Sequence, residues 1–376
     1  MTHITEHKRI HLIGIGGCSM SGLASILKNR GYYVQGSDRA ESPFTERLKE
    51  LGVPVFIGHD AKNIGDCDLI IFSAAIKSDN VERAEAKRRG IPELERSEAL
   101  GQLTEGYESV VGIAGCHGKT TITSMLALIC EQGGPDATVH IGGFVDFLNG
   151  GVRLGAHDMF ITEACEYVES FLTLRPTIAL INNIDNDHLD YYGDMEHIVA
   201  AFKKFAALLP ENGLLIGNTD DFRVRALMAE HTGRKLSYGM KDADYTPANT
   251  TYDDNGCPGF DIMFRGEKLM HIQLRIPGEH SVMNAIAAAA VAREIGADDK
   301  CIVSALNAFR NTRRRFEYYG ERNGVKYYHD YGHHPSEIAA TMKAASNVKH
   351  NKLFCVFQCN SYTRAKTLFL NDVTCF

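Results

Sequence analysis

Residues 108–125 read Glu-Ser-Val-Val-Gly-Ile-Ala-Gly-Cys-His-Gly-Lys-Thr-Thr-Ile-Thr-Ser-Met. An apolar strand runs into a glycine-bearing turn and then directly into a helix pattern. In such a turn the backbone N–H groups and the positive end of the following helix face an anion. Gly115, His117, Gly118, Lys119, Thr120 and Thr121 make up the turn and the helix start. Lys119 supplies a point charge for β/γ-phosphates, and Thr120 offers a hydroxyl to Mg²⁺. The strict phosphate-loop pattern asks for glycine five residues before Gly118. Ile113 stands there, with Gly112 and Gly115 as the flexible points. A structural turn carrying a solvated lysine is the plainer alternative. Strand, glycines, Gly-Lys-Thr and helix in unbroken order favour phosphate chemistry.

The 376 residues suffice for two or three domains, and 44% hydrophobic and 23% charged residues describe an ordinary globular chain. A net charge of −7 gives no basic field for nucleic acid or an anionic membrane surface. Ten cysteines are scattered without a Cys-x-x-Cys pair, and no signal peptide precedes them, which suggests a reducing, cytoplasmic setting. The most apolar stretch, 285–292, is too short to cross a bilayer.

Strand and helix alternate along the first hundred residues: strands over 9–15, 32–36, 53–57 and 68–73, and a helix over 19–29 stopped by Gly31. The alternation predicts a parallel sheet wrapped by helices. Residues 97–107 read as a connecting segment, after which the phosphate-loop strand opens a second α/β unit. There, 159–163, 177–182 and 214–218 read as strands and 197–209 as an amphipathic helix. Residues 244–275 carry the turns of antiparallel strands, followed by helices near 281–295 and 298–309. Past Arg313-Arg314-Arg315 come a hairpin turning at Asn323-Gly324, a helix over 335–345 and a strand over 353–358. Only 61 residues, 316–376, remain for this third unit, against the about 100–150 of a usual domain, so it reads as incomplete. The expected class is α/β: a Rossmann-like domain over 1–106, a phosphate-loop ATPase-type domain over 107–312, and an incomplete Rossmann-like domain over 313–376.

Four further groups carry chemistry. Gly14, Gly16, Gly17 and Gly22 form an N-terminal turn in which a Cβ would block a diphosphate, and Asp38 ends the second strand, where an acid can hold a ribose hydroxyl. Ser19 interrupts the strict glycine spacing. NAD, another nucleotide diphosphate and a purely structural turn fit it equally. Glu163 ends one predicted strand, and Asp185-Asn186-Asp187-His188 follows another, so both face the edge where the Lys119 loop lies. Glu163 suits Mg²⁺; His188 is an unusual ligand for a hard cation, and on local grounds reads as a satisfied histidine in a polar turn. Asn284 stands at a helix start, either as a reader of an adenine edge or as a packed polar residue. Arg313–Arg315 is either an anion clamp or a solvated cluster, and Asp330-Tyr331-Gly332-His333-His334-Pro335 concentrates more polar chemistry than a plain loop requires.

Taken together, Gly115-Cys-His-Gly-Lys-Thr-Thr, Glu163-Ala-Cys-Glu166, Asn186-Asp-His188-Leu-Asp190, Pro277-Gly-Glu-His280 and Asp330-Tyr-Gly-His-His-Pro335 resemble the Mur ligase family, with matching pieces from Gly14 to Arg364. The Gly14–Gly22 turn followed by Gly36-Ser37-Asp38 is similar to the alanine-adding branch. The resemblance implies three domains: one for a UDP-sugar, one for ATP and Mg²⁺, and one that closes over both. It implies that UDP-N-acetylmuramate and L-alanine are joined through an acyl phosphate made at the expense of ATP. It assigns Lys119 to the phosphates, Thr120 and Glu163 to one Mg²⁺ and His188 to a second. Asn284, Arg315, Asp330 and His333 would hold the nucleotide, and Arg364 and Tyr331 the amino acid. The expected assembly is a monomer or a weak homo-oligomer.

Departures from the family pattern are Cys116 in place of threonine, Ser281 in place of asparagine, and Cys359 and Asn360 in place of proline and histidine. These last two and the short third unit raise the expectation of a fragmentary reading frame with little ligase activity. Other readings of the same residues are a peptide-recycling ligase, a nicotinamide-dependent oxidoreductase built on the N-terminal turn, and a binding protein without turnover.

Overall fold

The computed structural model describes residues 2–310 and 314–358. The described residues within Met1–Ala114, Asp136–Ala179 and Ala200–Leu214 form one compact unit; those within Gly115–Pro135, Leu180–Val199 and Leu215–Phe376 form the other.

The first unit opens with β1 (Arg9–Ile13), α1 (Cys18–Asn29), β2 (Tyr33–Asp38), α2 (Pro43–Glu50), β3 (Val55–Ile57), β4 (Leu69–Phe72), α3 (Val81–Arg89), β5 (Glu93–Glu95) and α4 (Arg96–Thr104). Its sheet runs β3-β2-β1-β4-β5, and every neighbouring pair is parallel. Central β1 is buried on both faces, with Ile10 and Leu12 on one and His11 and Ile13 on the other, as a strand covered by helices on either side must be. The expected connecting segment over 97–107 is instead mostly helix α4. Glu95 caps it by accepting the Ser97 N–H, the Glu98 carboxylate reaches back to the Glu95 N–H, and Ala99, Leu100 and Leu103 are buried. Gly101 looks like a helix breaker in the sequence. In the fold a Cβ there would lie 2.4 Å from the Thr173 carbonyl oxygen, so the glycine permits close packing.

The chain continues through β6 (Ser109–Ala114), α5 (Lys119–Glu131), β7 (Ala137–Val145), β8 (Gly150–Arg153) and β9 (Ala156–Glu163). In the first unit these strands lie in the order β6-β9-β7-β8, with only β7–β8 antiparallel. Next come β10 (Ile178–Ile181), α6 (Leu189–Tyr192), α7 (Met195–Ala206), β11 (Leu214–Asn218), α8 (Phe222–Glu230), β12 (Arg234–Tyr238), β13 (Tyr245–Tyr252), β14 (Pro258–Phe264) and β15 (Glu267–Gln273). The expected antiparallel strands over 244–275 are β13, β14 and β15, each paired with the next. Helices α9 (Glu279–Glu294) and α10 (Asp299–Ala308) follow. The apolar run 285–292 lies in α9 and is wholly buried.

Hairpin β16 (Glu317–Arg322) and β17 (Val325–His329) turns at Asn323 and Gly324, whose φ values of +53° and +76° are those a two-residue hairpin turn requires. Helix α11 (Pro335–Asn347) comes next. The predicted strand over 353–358 is not formed: 352–358 carries no regular structure, and Phe354 and Val356 are exposed. A strand exists only through its ladder, and no partner strand pairs with this segment among the described residues. No helix among them is long and apolar enough to cross a membrane.

Candidate active site

The turn after β6 is shaped by glycines. Gly115 has φ +137° and Gly118 φ +86°, conformations that side chains disfavour. Space forbids a side chain at Gly118 as well, since a Cβ would sit 2.4 Å from Asn182 Nδ2 and 2.7 Å from Asn284 Oδ1. Helix α5 begins on Gly118 with no side-chain cap, so its first-turn backbone turns toward the cavity the loop lines. Lys119 Nζ folds over the turn and donates to the Gly115 carbonyl and, at 3.3 Å, to that of Cys116.

Two asparagines just after β10 hold the loop. Asn183 accepts the His117 N–H at 2.8 Å and donates to the His117 carbonyl at 3.0 Å; Asn182 donates to the same carbonyl at 2.9 Å. The fully buried Tyr238 donates its hydroxyl to Asn182 Oδ1 at 2.6 Å, fixing which end of that amide faces the loop. Cys116 keeps the loop's side-chain bond: its thiol donates to the Asp185 carbonyl at 3.4 Å and accepts the Asp185 N–H at 3.2 Å. A thiol thereby fills the hydrogen-bonding role expected of a threonine hydroxyl.

One cavity is lined by His117, Gly118, Lys119, Thr120 and Thr121 together with Asn284, Arg315 and Asp330. Eight of the ten residues expected at a nucleotide therefore line one space. Gly115 shapes the turn from behind. His333 is off the lining: its N–H donates to Glu337 at 3.1 Å and its Nδ1 lies 2.9 Å from the Tyr331 carbonyl. Tyr331 is half exposed and also off the lining. Asp330 accepts the Phe316 N–H at 2.7 Å and the Gly332 N–H at 2.6 Å, which folds its own loop toward the cavity. Ser281 uses its hydroxyl to close the start of α9 on the Pro277 carbonyl at 2.7 Å. Arg364 and Asn360 lie outside the described residues.

Sequence reading missed the ionic group at the cavity edge. His117 Nε2 lies 3.0 Å from Asp185 Oδ2, its Nδ1 lies 3.5 Å from Glu337 Oε1, and Arg315 donates to the same Glu337 oxygen at 3.1 Å. Burial alone would lower the His117 basicity; the bonds to Asp185 and Glu337 more than offset it and push its pKa up to about 9. Burial would raise Glu337, but the His117 bond and the Arg315 charge hold its carboxyl well below the usual range. Asp185 is likewise held low against burial, by His117, Ser336 and the Asn186 N–H. Residues 185 and 337 are 152 positions apart and in different element types, so no local pattern could have paired them.

His188 starts α6 with a left-handed φ of +56°, its N–H donating to Asp187 Oδ1 at 2.8 Å; it is not among the cavity-lining residues. In the first unit Glu163 closes β9 and accepts the Gly142 N–H at 2.6 Å. There too the Gly14–Gly22 turn follows β1. Gly14 has φ +83°, and Asp38 Oδ2 accepts the Gly16 N–H at 2.8 Å. A Cβ at Gly22 would sit 2.8 Å from the His140 ring, so this glycine serves the packing of α1 on β7.

The family model described as "Mur ligase family, catalytic domain" matches residues 9–108, "Mur ligase middle domain" matches 113–292, and "Mur ligase, glutamate ligase domain" matches 314–367. The UDP-N-acetylmuramate–L-alanine ligase of Clostridium botulinum (strain Langeland) is 44% identical over 371 residues, 99% of this chain and 81% of that protein. Its Clostridium beijerinckii counterpart is 45% identical over 372 residues, with the same coverage. Among solved structures, the UDP-N-acetylmuramate–alanine ligase of Thermotoga maritima superposes with a TM-score of 0.80 at 29% identity, over 91% of this chain and 78% of that one. A Neisseria meningitides ligase for the peptide L-alanyl-gamma-D-glutamyl-meso-diaminopimelate gives a TM-score of 0.72 at 28% identity, over 82% of this chain and 100% of that one. Identity at this level over nearly the whole length, on a fold that supplies the phosphate loop and its cavity, means that this chain belongs to the Mur ligase family.

Proposed function

We propose that this chain is an ATP-dependent ligase that joins L-alanine to UDP-N-acetylmuramate in peptidoglycan precursor synthesis. The observation that carries the reading is the 44% identity over 99% of the chain with clostridial enzymes of that name. A cavity shared by the Lys119 loop, Asn284, Arg315 and Asp330 supports it. In this reading residues 1–106 take the UDP-sugar through the Gly14–Gly22 turn and Asp38, residues 107–312 take ATP, and residues 313–376 complete the nucleotide site.

The chemistry needs a carboxylate to attack a polyanion. The lactyl carboxylate of the sugar attacks the γ-phosphorus of ATP, the bond to the β-phosphate oxygen breaks, and an acyl phosphate and ADP result. The alanine amine then attacks the acyl carbon, phosphate leaves, and the amine's proton is lost to form the amide. Repulsion between the two anions is the first barrier. Lys119 and Arg315 would offset it by placing positive charge at the phosphates, in a site whose preorganisation spares reorganisation cost. The uncapped start of α5 would add N–H donors, with Asn284 meeting the adenine.

The Thr120 hydroxyl suits Mg²⁺, which prefers oxygen, and the Glu163 carboxylate of the first unit is a donor of the same kind, while the His188 nitrogen suits a hard cation less well. When bound, the ion would supply further charge neutralisation at the phosphates.

Alanine-dependent phosphate release from ATP, measured with UDP-N-acetylmuramate present, tests the reading. Lys119→Ala should lower the rate by about 100-fold or more, the order seen when one transition-state charge donor is removed. Release that responds to the L-alanyl-gamma-D-glutamyl-meso-diaminopimelate peptide and not to alanine would move the chain to the peptide-ligase branch. NADH binding without ATP binding would replace the reading altogether.

A further inference from the structure

Beside the phosphate loop, three side chains from three separate segments converge: His117 of the loop, Asp185 after β10, and His334 at the start of α11. One ligand-capable atom from each lies within 4.8 Å of the other two. We propose that His117 Nε2, Asp185 Oδ2 and His334 Nδ1 form a binding site for Zn²⁺, separate from the Mg²⁺ donors Thr120, Glu163 and His188.

Spacing is the first support. Asp185 Oδ2 lies 3.0 Å from His117 Nε2 and 3.5 Å from His334 Nδ1. Ligands on a tetrahedral zinc with bonds of about 2.0–2.1 Å stand roughly 3.3–3.5 Å apart. The Asp185–His334 edge already has that length, and the 3.0 Å His117–Asp185 edge need only open slightly to reach it.

The outer contacts are the second support. A zinc-bound histidine donates its other ring N–H to a carboxylate or a carbonyl, which sets the tautomer and orients the ring. His334 Nε2 lies 3.2 Å from the Asn186 carbonyl, which calls for a proton on Nε2 and leaves the Nδ1 lone pair facing Asp185. His117 Nδ1 faces Glu337 Oε1 at 3.5 Å, which leaves Nε2 as the inward atom. Both imidazoles are therefore turned as zinc requires, by partners outside the site.

The remaining contacts leave room for an ion. Ser336 Oγ donates to Asp185 Oδ2 at 2.6 Å, and Asp185 Oδ1 accepts the Asn186 N–H at 2.8 Å. The Ser336 N–H reaches His334 Nδ1 at a long 3.3 Å and is the contact that a metal displaces. Nearby charge comes from Glu337 and from Arg315 bonded to it, and His333 Nδ1 is 3.6 Å from Glu337. Two nitrogens and one oxygen select a borderline cation over Mg²⁺. Bound there, zinc would pin α11 to the phosphate loop and slow nucleotide entry and release at the cavity they line, so the expected consequence is zinc inhibition of turnover.

The test uses the full chain in excess Mg²⁺, with Co²⁺ as a coloured substitute for zinc. One equivalent should bind with visible d–d absorption and be displaced by Zn²⁺. His334→Ala and Asp185→Asn should each weaken Co²⁺ binding by about 10–100-fold or more, with folding checked by circular dichroism. A band of unchanged affinity in either folded variant overturns the site. X-ray absorption on the unvaried zinc-loaded chain covers the case in which the variants do not fold. A shell of two imidazoles and oxygen is expected; a sulfur shell, or fewer than two imidazoles, sinks the proposal.

Discussion

Gly118 and Tyr238 are the two residues on which the loop's geometry most depends. Gly118→Ala puts a methyl group into a left-handed position 2.4 Å from Asn182 Nδ2. It should destabilise the protein by about 1–3 kcal/mol and weaken ATP binding; urea unfolding and nucleotide titration measure the two effects. Tyr238→Phe keeps the ring but leaves the Asn182 carbonyl oxygen buried without its donor. The expected cost is about 1–3 kcal/mol, and an unchanged unfolding midpoint would refute the role given to that hydroxyl. Gly118 and Lys119 were legible because the loop's chemistry is local in sequence. Tyr238 was not, since a tyrosine 56 positions beyond Asn182 carries no mark of the amide it orients.

Helix α1 and strand β7 meet through a buried imidazole. His140 Nε2 lies 3.1 Å from the Ser19 carbonyl and Nδ1 lies 3.2 Å from Thr162 Oγ1. Burial, which outweighs the Ser19 carbonyl and is aided by the Arg96 charge, pushes its pKa down from 6.5 to about 4. The unfolded chain then binds the proton that the native state refuses, so stability falls as the pH drops from about 6.5 to about 4. That loss should be on the order of 2–3 kcal/mol in urea titrations at stepped pH, and His140→Gln should flatten it. Buried Glu82, in the first turn of α3, acts in a lower window. Burial would raise its carboxyl, but bonds from His11, Ser37 and Asn63 bring it down from 4.5 to about 2. Its contribution is present above pH 4.5 and is lost as the pH falls toward 2. At this scale the parallel strands, the antiparallel run and the Asn323–Gly324 hairpin could be read from periodicity and turn residues. Helix α4 could not, because Gly101 imitates a stop, and neither could the unformed strand at 353–358, because a ladder partner is not a local property.

For the molecule as a whole, a ligand that binds only the native state stabilises it by mass action, by about 2.7 kcal/mol at a hundredfold excess over its Kd. A non-hydrolysed ATP analogue with Mg²⁺ should therefore raise the melting temperature, and Lys119→Ala should abolish most of the rise; equal rises in both proteins would place the nucleotide away from the loop. By itself, the sequence determined the α/β class, the phosphate loop and the family, because strand periodicity, glycine placement and motif order lie within short windows of chain. Tertiary structure alone decided that Asn182, Asn183 and Tyr238 hold the loop, that Gly22 makes room for His140 rather than standing open, and that His117 faces Asp185, His334 and Glu337. Each of these contacts joins residues dozens to hundreds of positions apart. Such pairings are settled by which faces the folded elements bury against one another, and no short stretch of sequence encodes that choice.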